Sequence, residues 1–403
     1  MRRRFAPTVA PRRGRRAAVV AYTEYPWDPR VRGESETLAR EGYEVHTIAV
    51  RPKSGRSPSM LNGVFLWEVP LSTRRGGKVR YAFQYAMFLV LSSLMLFRLH
   101  REEPFDLVHV HSLPDFQVFS TLPLKLQGIP VLLDLHEAMP EILQARFRLR
   151  PSAFLSRAAV LLEAVSCWYA NHVIAANDGI RAAVVGRGIP GQKVTTVYNT
   201  GDLEDKLPSP DRVRREMGLP EGLLIVHAGG INPERDLETL VRSIRGLVPT
   251  MDIHLVIAGD GDPNYVSSIR RLVAELGLTE RVHFLGRLPR SEALALMSLS
   301  AVGVVTLESN PLTELAWPTR IVEFANLGKP LVMPNLAFIR ETLGSAAQYY
   351  DPGDSTDLSM VLEKVLRHPE LGPSIAAEMK GVADRFRSSS MKERFISVCR
   401  NLV

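Results

Sequence analysis

The chain has 403 residues. A single hydrophobic core stops growing at roughly 250–300 residues, so we expect two domains. A hydrophobic fraction of 45% and a charged fraction of 23% exclude a disordered chain, a coiled coil and a collagen-like repeat. The net charge of +7 comes from residues 1–16, which hold seven arginines and no acid and leave 43 basic and 43 acidic residues elsewhere. A neutral body gives no reason to expect a nucleic-acid partner.

The first part of the chain alternates short apolar runs with helical patterns. Residues 1–16 are expected to form a disordered basic tail, because the apolar run that follows is too short for a signal peptide. The apolar runs that predict strands of a first domain, over residues 17–200, are Ala17–Ala21, Glu44–Val50, Leu107–His111, Pro130–Leu135, His172–Ala176 and Lys193–Val197. Val31–Arg40 and Tyr81–His100 predict helices between them.

The alternation restarts after residues 201–222, a polar stretch with three prolines that predicts an interdomain linker. The strands predicted for the second domain, over residues 223–385, are Leu223–Ala228, His254–Ala258, Val282–Leu285, Val302–Leu307 and Leu331–Met333. Residues 386–403 predict a C-terminal helix that can pack back on the first domain. Alternating strands and helices predict two doubly wound, Rossmann-like α/β domains that face each other across a cleft.

Ligands of doubly wound sheets bind beyond the carboxyl ends of the strands, so residues that follow strands are the candidates. After the first strand, Asp28-Pro29 predicts a capped helix start, and Arg30 and Arg32 can face an anion there. A well-capped helix without a ligand explains the same residues. His111 and His136 each end a strand, although either can be a structural histidine.

The helix over Tyr81–Phe97 has 17 uncharged residues and is apolar around most of its circumference. Residues 51–101 contain nine basic residues and one acid, Glu68. A packed domain helix is the plain interpretation. The apolar circumference and the basic flanks favour peripheral attachment to an anionic membrane, because a crossing helix would split the predicted sheet.

In the second domain, a glycine turn follows the first strand, and Arg235 comes shortly after Gly229 and Gly230. Glycines allow a ligand to approach the backbone, and arginine pairs with phosphate, although a tight turn has the same sequence. Residues 260–262, Asp-Gly-Asp, follow a predicted strand. These residue types favour a turn over a metal-binding motif at this position.

A later block, Glu308–Pro330, predicts a strand, a long loop and a helix that Pro318 opens and Gly328 closes. Arg320 lies in the first turn of this helix and Glu323 lies one turn further. Arg320 can hold phosphates while Glu323 accepts ribose hydroxyls. The two residues can equally form a surface ion pair.

These motifs together resemble the glycosyltransferases of family four (glycosyltransferase group one), which have the two-domain GT-B fold. The resemblance spans roughly residues 17–385. Its motifs are the residues 28–32, 134–137 and 229–237, the residues 259–261, 282–287 and 318–330, and Asn199.

The resemblance implies a role for each matching residue. Glu323 is the second glutamate of the E-x7-E pair and should hold the donor ribose; the first would fall at Leu315, where only the neighbouring Glu314 is acidic. His136 should lie near the transferred sugar as the catalytic residue. The other donor-binding candidates are Gly229, Gly230, Arg235, Arg287, Glu314 and Arg320, and the candidates on the acceptor or phosphate side are Arg30, His111 and Asn199.

The resemblance also implies the reaction. A sugar would pass from a UDP- or GDP-sugar to a lipid-linked or saccharide acceptor with retention of configuration, in surface-polysaccharide or glycolipid assembly. Neither a metal nor another cofactor is expected. The enzyme would be cytoplasmic and peripheral at the inner face of the cell membrane. Two alternatives stay open, a nucleotide-sugar epimerase of the same fold and a nucleotide-binding scaffold without turnover.

Overall fold

A computed structural model describes residues 14–52, 55, 58–71, 78–201, 207–368 and 371–403. The chain divides into two compact units. The first comprises the residues up to Val197 together with Lys392–Val403, and the second comprises Tyr198–Met391. Each unit is an α/β domain built on its own largely parallel sheet, so the predicted fold class is confirmed.

The first unit contains eight strands in the spatial order β3-β4-β2-β1-β5-β6-β7-β8, all parallel except the β3–β4 pair. The strands are β1 (Arg16–Val20), β2 (Glu44–Val50), β3 (Met60–Leu61), β4 (Val64–Val69), β5 (Leu107–His111), β6 (Val131–Leu135), β7 (His172–Ala175) and β8 (Val194–Thr196). The helices are α1 (Pro29–Arg40), α2 (Lys78–Glu102), α3 (Leu122–Lys125), α4 (Met139–Phe147), α5 (Phe154–Tyr169) and α6 (Asp178–Gly186). The β3–β4 hairpin is absent from the sequence prediction, although Asn62-Gly63 before the mostly apolar run Val64–Val69 is a hairpin signal.

The second unit contains six parallel strands in the order β11-β10-β9-β12-β13-β14. The strands are β9 (Leu223–Ala228), β10 (Ile253–Ala258), β11 (Val282–Gly286), β12 (Ser300–Val304), β13 (Leu331–Pro334) and β14 (Gln348–Tyr350). The helices are α7 (Pro210–Glu216), α8 (Leu237–Leu247), α9 (Pro263–Glu275), α10 (Arg290–Ser298), α11 (Arg320–Asn326), α12 (Ala337–Leu343), α13 (Ser355–Arg367), α14 (Leu371–Arg385) and α15 (Ser388–Leu402).

Two predicted segments differ from the structure, and the predicted C-terminal helix agrees with it in returning to the first unit. Residues 1–13 of the predicted tail lie outside the described residues, but Arg16 begins β1, is buried and pairs with Glu44 at 2.7 Å. Part of the predicted linker forms α7, because Pro210 opens a helix whose Val213 is buried. The last residues of α15 belong to the first unit, where the Phe395 ring lies 5.3 Å from the ring of His109.

Each sheet has a point at which successive strands are added in opposite directions. In the first unit it lies between β1 and β5, and in the second between β9 and β12. Ligand sites of doubly wound sheets form at this point. In the second unit α11 packs closely on β12, because a Cβ at Gly303 would lie 2.6 Å from the Phe324 ring. This packing fixes the helix that carries Arg320 and Glu323.

Candidate active site

Two arginines of the second unit lie beyond the ends of β9 and β12, on either side of the switch point. Arg235 ends a short 3₁₀ turn, Pro233–Arg235, and Arg320 is the first residue of α11. Arg320 is buried, and its Nη1 lies 3.0 Å from Nδ1 of His227. Among the described residues, no carboxylate oxygen lies within 4 Å of either guanidinium. The buried Arg320 and the half-buried Arg235 therefore lack, among the described residues, the counter-charge that buried arginines usually have.

The electrostatics show how unfavourable this arrangement is without an anion. Burial, together with the charge of Arg235, lowers the pKa of Arg320 to about 9, although Glu323 acts in the opposite direction. Burial and the same two arginines hold the pKa of His227 well below its usual range. The Nε of Arg235 is buried and has no hydrogen-bond partner within the part of the chain that the structure describes. A diphosphate would supply both the negative charge and the acceptor oxygens that these groups lack.

Glycines allow the backbone to pass close to the Arg320 side chain. Gly229 has φ of +146°, and a Cβ there would lie 3.5 Å from Cζ of Arg320. A Cβ at Gly259 would lie 1.8 Å from the carbonyl oxygen of Gly229, so the loops after β9 and β10 touch. The glycine turn predicted as a ligand approach thus also has a packing role, because larger residues cannot fit between the two loops.

The Asp-Gly-Asp segment at 260–262 forms an isolated parallel β-bridge between Gly261 and Ile231 rather than the turn that its sequence predicts. The Ile231 N–H donates to the carbonyl oxygen of Asp260 at 2.9 Å, and the Asp262 N–H donates to the carbonyl oxygen of Ile231 at 3.1 Å. The Asp262 carboxylate caps α9 by accepting hydrogen bonds from the Asn264 and Tyr265 N–H groups. This carboxylate is therefore used in helix capping.

Glu323 is buried on α11, and its Oε1 lies 2.9 Å from Nη1 of Arg290. The sequence predicts ribose binding by Glu323, and the ion pair with Arg290 means that a ribose would share or displace this contact. Gly201 packs against the same turn, since a Cβ there would lie 2.6 Å from Cγ of Glu323. Asn199 is two residues before Gly201 and half-buried, which places it in the segment that leads to this helix.

The remaining donor-side candidates lie on loops at the same sheet edge. Arg287 is exposed and directly follows Gly286, whose carbonyl oxygen accepts from the Gly259 N–H at 2.7 Å. Glu314 is half-buried in a 3₁₀ turn, Thr313–Leu315, and accepts a hydrogen bond from the Ser309 hydroxyl at 3.1 Å. The predicted roles of both in donor binding stay predictions.

In the first unit, Arg30 is not an anion ligand, which corrects the prediction. Asp28 caps α1 as expected, but the buried Arg30 side chain forms a bidentate pair with Asp134, with both N···O distances at 2.7 Å. Its Nη1 donates to the Val197 carbonyl at 2.9 Å, and Glu34 lies 3.3 Å from Nη2. These partners occupy the guanidinium, so Arg30 ties α1 to the ends of β6 and β8.

The two predicted histidines lie together beside this pair. Nδ1 of His111 is 2.8 Å from Nε2 of His136, and it is also 3.2 Å from the Asp134 carboxylate. His111 is buried, whereas 20% of the His136 side chain is exposed. Burial lowers the pKa of His111 even though Asp134 acts to raise it. His136 can therefore reach a substrate, and His111 can only act through His136.

Four side chains of this cluster, Glu34, His109, His111 and Asp134, place potential metal-ligating atoms within 4.8 Å of one another. Their charges are already balanced by Arg30. Burial raises the pKa of Glu34 well above its usual range, although the charge of Arg30 acts to lower it. Burial would also raise the pKa of Asp134, but the charge of Arg30, together with the two neighbouring histidines, holds this pKa well below its usual range. Because Arg30 bonds both Asp134 oxygens, the donor set fits a charge-balanced network better than a metal.

Sequence reasoning missed Glu34, His109, His227 and Arg290 as parts of these clusters. A signal exists for two of them. His109 and His111 are two residues apart on a strand and so share one face, and Glu34 lies one helical turn after Arg30. His227 and Arg290 meet their partners only through the tertiary fold.

Comparison with known families agrees with both units. The glycosyl transferase 4-like domain matches residues 27–200, and the model described as glycosyl transferases group 1 matches residues 211–380. The chain belongs to the group 1 glycosyltransferases. Its two units are the two domains of the GT-B fold that the sequence resemblance implies, and that prediction is confirmed.

Individual relatives of this group 1 glycosyltransferase are distant. Sulfoquinovosyl transferase SQD2 of Arabidopsis thaliana is 24% identical over 76% of the chain, and the chain spans 59% of that protein. A sucrose-phosphate synthase from Thermosynechococcus elongatus has a TM-score of 0.77 at 16% identity, with 96% of this chain and 99% of that chain covered. Anabaena Alr3699/HepE in complex with UDP has a TM-score of 0.74 at 15% identity, with 96% and 100% covered. These structural likenesses show the shared fold.

Proposed function

We propose that the chain transfers a glycosyl group from a nucleoside-diphosphate sugar to an acceptor hydroxyl. The observation that supports this most directly is the pair of Arg235 and Arg320, two cations without a carboxylate partner among the described residues, at the switch point of the second sheet. A diphosphate has the charge and the oxygens that this pair lacks. Anabaena HepE, of the same fold, binds UDP and UDP-glucose, which supports a UDP-sugar as donor; a GDP-sugar has the same diphosphate.

The same groups suggest how bond cleavage is assisted. When the glycosidic bond to the β-phosphate breaks, negative charge grows on the phosphate oxygens, and Arg235 and Arg320 would stabilise it. The departing phosphate can then take the proton of the acceptor hydroxyl that attacks from the same face. This path gives retention of anomeric configuration and requires no metal. Glu323 would hold the donor ribose through its carboxylate.

We assign the acceptor side to the first unit. His136 is the partly exposed member of its histidine pair; His111 orients it through a hydrogen bond, and the Asp134 carboxylate lies 3.5 Å from its Nε2. A lipid-linked or saccharide acceptor at the cytoplasmic face of the membrane, in surface-polysaccharide or glycolipid assembly, is the proposed second substrate.

The test is a screen of UDP- and GDP-sugars for thermal stabilisation, followed by product analysis with and without saccharide acceptors. The proposal expects stabilisation by one donor and acceptor-dependent release of its nucleoside diphosphate. Conversion of the donor sugar without an acceptor would instead favour an epimerase. Binding of a donor with neither hydrolysis nor transfer across the acceptors would favour a scaffold without turnover.

A further inference from the structure

One helical layer of the first unit exposes an unusual amount of apolar surface. On α2, Phe83, Val90, Leu94 and Phe97 are exposed, Phe83 and Leu94 by more than 60%. They follow one another at intervals of seven, four and three residues, so they lie on one helix face. Phe88, Leu96 and Leu99 on the opposite side are buried in the core.

The helix α5 repeats this pattern. Phe154, Leu161, Val165 and Trp168 have the same spacing and are exposed by 88%, 65%, 46% and 57%. Its buried side carries Cys167 into the same core. Two helices that bury one apolar face against the sheet and expose another would be costly in water unless something covers the exposed face.

The two helices belong to one continuous layer. The 3₁₀ segment Asp115–Thr121 lies between them, since Gln117 donates to the Ser92 hydroxyl of α2 at 2.7 Å and the Phe119 ring lies 5.0 Å from the Tyr169 ring of α5. Right-handed crossovers to the neighbouring strands β5, β6 and β7 put these segments on the same side of the sheet. Leu122 and Leu126, which follow this segment, are also exposed. Most of the large exposed apolar side chains among the described residues lie on this layer, which we call the α2–α5 face.

Basic residues predominate around the α2–α5 face. Residues 142–162 contain four arginines and no acid, and Arg146, Arg148, Arg150 and Arg157 are all exposed. At the end of α2, Arg98 and Arg101 are exposed, and Arg98 pairs with the exposed Glu102 at 3.0 Å. An isologous contact with a second copy would bring these like charges together, which is unfavourable. An anionic lipid surface satisfies both the apolar residues and the arginines.

We propose that the α2–α5 face docks the enzyme in the plane of an anionic bilayer, with α2 and α5 both inserted at the headgroup boundary. Phe83–Glu102 is also the one helix in the described part of the chain with the length and apolarity to span a membrane. Since its other side packs Phe88, Leu96 and Leu99 into the core, α2 lies along the bilayer instead. This inference deepens the proposed function by naming the surface at which a lipid-linked acceptor would be met.

The test uses the full chain and vesicles of phosphatidylcholine, with or without phosphatidylglycerol. Wild type should co-sediment with the anionic vesicles, and salt should weaken the binding. The triple variant Phe154→Ser, Leu161→Ser and Val165→Ser should bind the anionic vesicles at least tenfold more weakly. These residues lie on α5, which the sequence alone did not indicate as a membrane-binding helix. Met360→Ser is the matched control, since Met360 is 58% exposed on α13 of the other unit, and should bind as wild type does.

Two further readouts separate the contributions. Replacing Arg148, Arg150 and Arg157 with serine should weaken binding to anionic vesicles by roughly fivefold per residue and leave the weak binding to phosphatidylcholine unchanged. Lipids brominated in their acyl chains should quench wild-type fluorescence, and Trp168→Phe should lose part of that quenching. Trp27→Phe, at a residue with 64% exposure before α1, should keep it.

Wild type that stays in the supernatant at low salt overturns the inference, and so does a triple variant that binds as tightly as wild type. A wild-type dimer that the triple variant converts to a monomer would show that a second copy covers the face, which also overturns it. Thermal stabilisation by nucleotide sugars is measured on the same samples. A protein that binds donor but not vesicles defeats this inference alone, and one that binds vesicles but no donor defeats the proposed function alone.

Discussion

Replacing Arg320 with methionine should stabilise the free protein while it removes donor binding. The cation lies in a buried place that lowers its pKa to about 9, roughly three to four pH units below the ordinary pKa of arginine. Since a tenfold change in a proton equilibrium is about 1.4 kcal/mol, holding the charge costs on the order of 5 kcal/mol. At neutral pH this cost is fully present, because the unfolded arginine keeps its proton until much higher pH.

The measurable gain is smaller than this cost. The variant loses the contact of Arg320 with His227, worth about 1 kcal/mol, and the wild-type site relaxes in part. We therefore expect the free energy of unfolding to rise by about 1–3 kcal/mol, and Tm by a few degrees. The matched control is Arg30→Met, at an equally buried arginine that pairs with Asp134. Breaking that pair should cost about 3–5 kcal/mol.

Urea and thermal unfolding of both variants, with and without nucleoside diphosphate, measure these effects. Wild type should gain stability from the ligand, and Arg320→Met should not. The reasoning is refuted if Arg320→Met loses as much stability as Arg30→Met. It is equally refuted if the Arg320 variant is stabilised by the ligand as strongly as wild type.

Three further outcomes follow from the same structure. Glu323→Ala should sharply raise the dissociation constant of the donor in a calorimetric titration. Arg290→Ala frees the Glu323 carboxylate, so this variant should bind the donor as tightly as wild type or more tightly. Equal losses of donor affinity in the two variants would contradict ribose binding by Glu323. The raised pKa of Glu34 makes wild type lose stability as pH rises, so Glu34→Gln should gain stability relative to wild type between pH 5 and 8. The gain should be at most about 1.4 kcal/mol per pH unit. A difference in denaturant midpoints that does not change with pH would contradict this prediction. Transfer should survive a chelator and give a product with the donor's anomeric configuration by NMR; loss restored by manganese, or an inverted product, would contradict the mechanism.

Most of the fold could be predicted from the sequence, because buried parallel strands are nearly continuous apolar runs. The runs at Leu107–His111 and Leu223–Ala228 are strands with those bounds in the structure. The hairpin of β3 and β4 was overlooked despite its Asn62-Gly63 turn, and β14 has only three residues and so gave a weak pattern. The helix α7, within the predicted linker, is only seven residues long and rich in charges, so its single buried residue, Val213, gave little signal.

The positions of the candidate residues could be predicted from the sequence, but the partners of their side chains could not. The rule that ligands bind beyond strand ends led to Arg235, Arg320 and His136. This rule could not show that the Arg30 guanidinium pairs with Asp134, because that contact joins residues 104 positions apart. The residues of the Arg290–Glu323 pair and of the Arg320–His227 contact are also far apart in the chain and meet only in the folded protein. Spacing along a chain reports which residues share a helix face or a strand face, whereas partner identity depends on tertiary packing.

The most direct test of a diphosphate site at Arg235 and Arg320 is calorimetric titration of UDP and GDP, each beside its nucleoside. The account predicts that one nucleoside diphosphate binds wild type at least a hundredfold more tightly than its nucleoside. It also predicts that most of this difference disappears in Arg320→Met. A nucleoside that binds as tightly as its diphosphate, or a difference that the variant retains in full, would contradict the account.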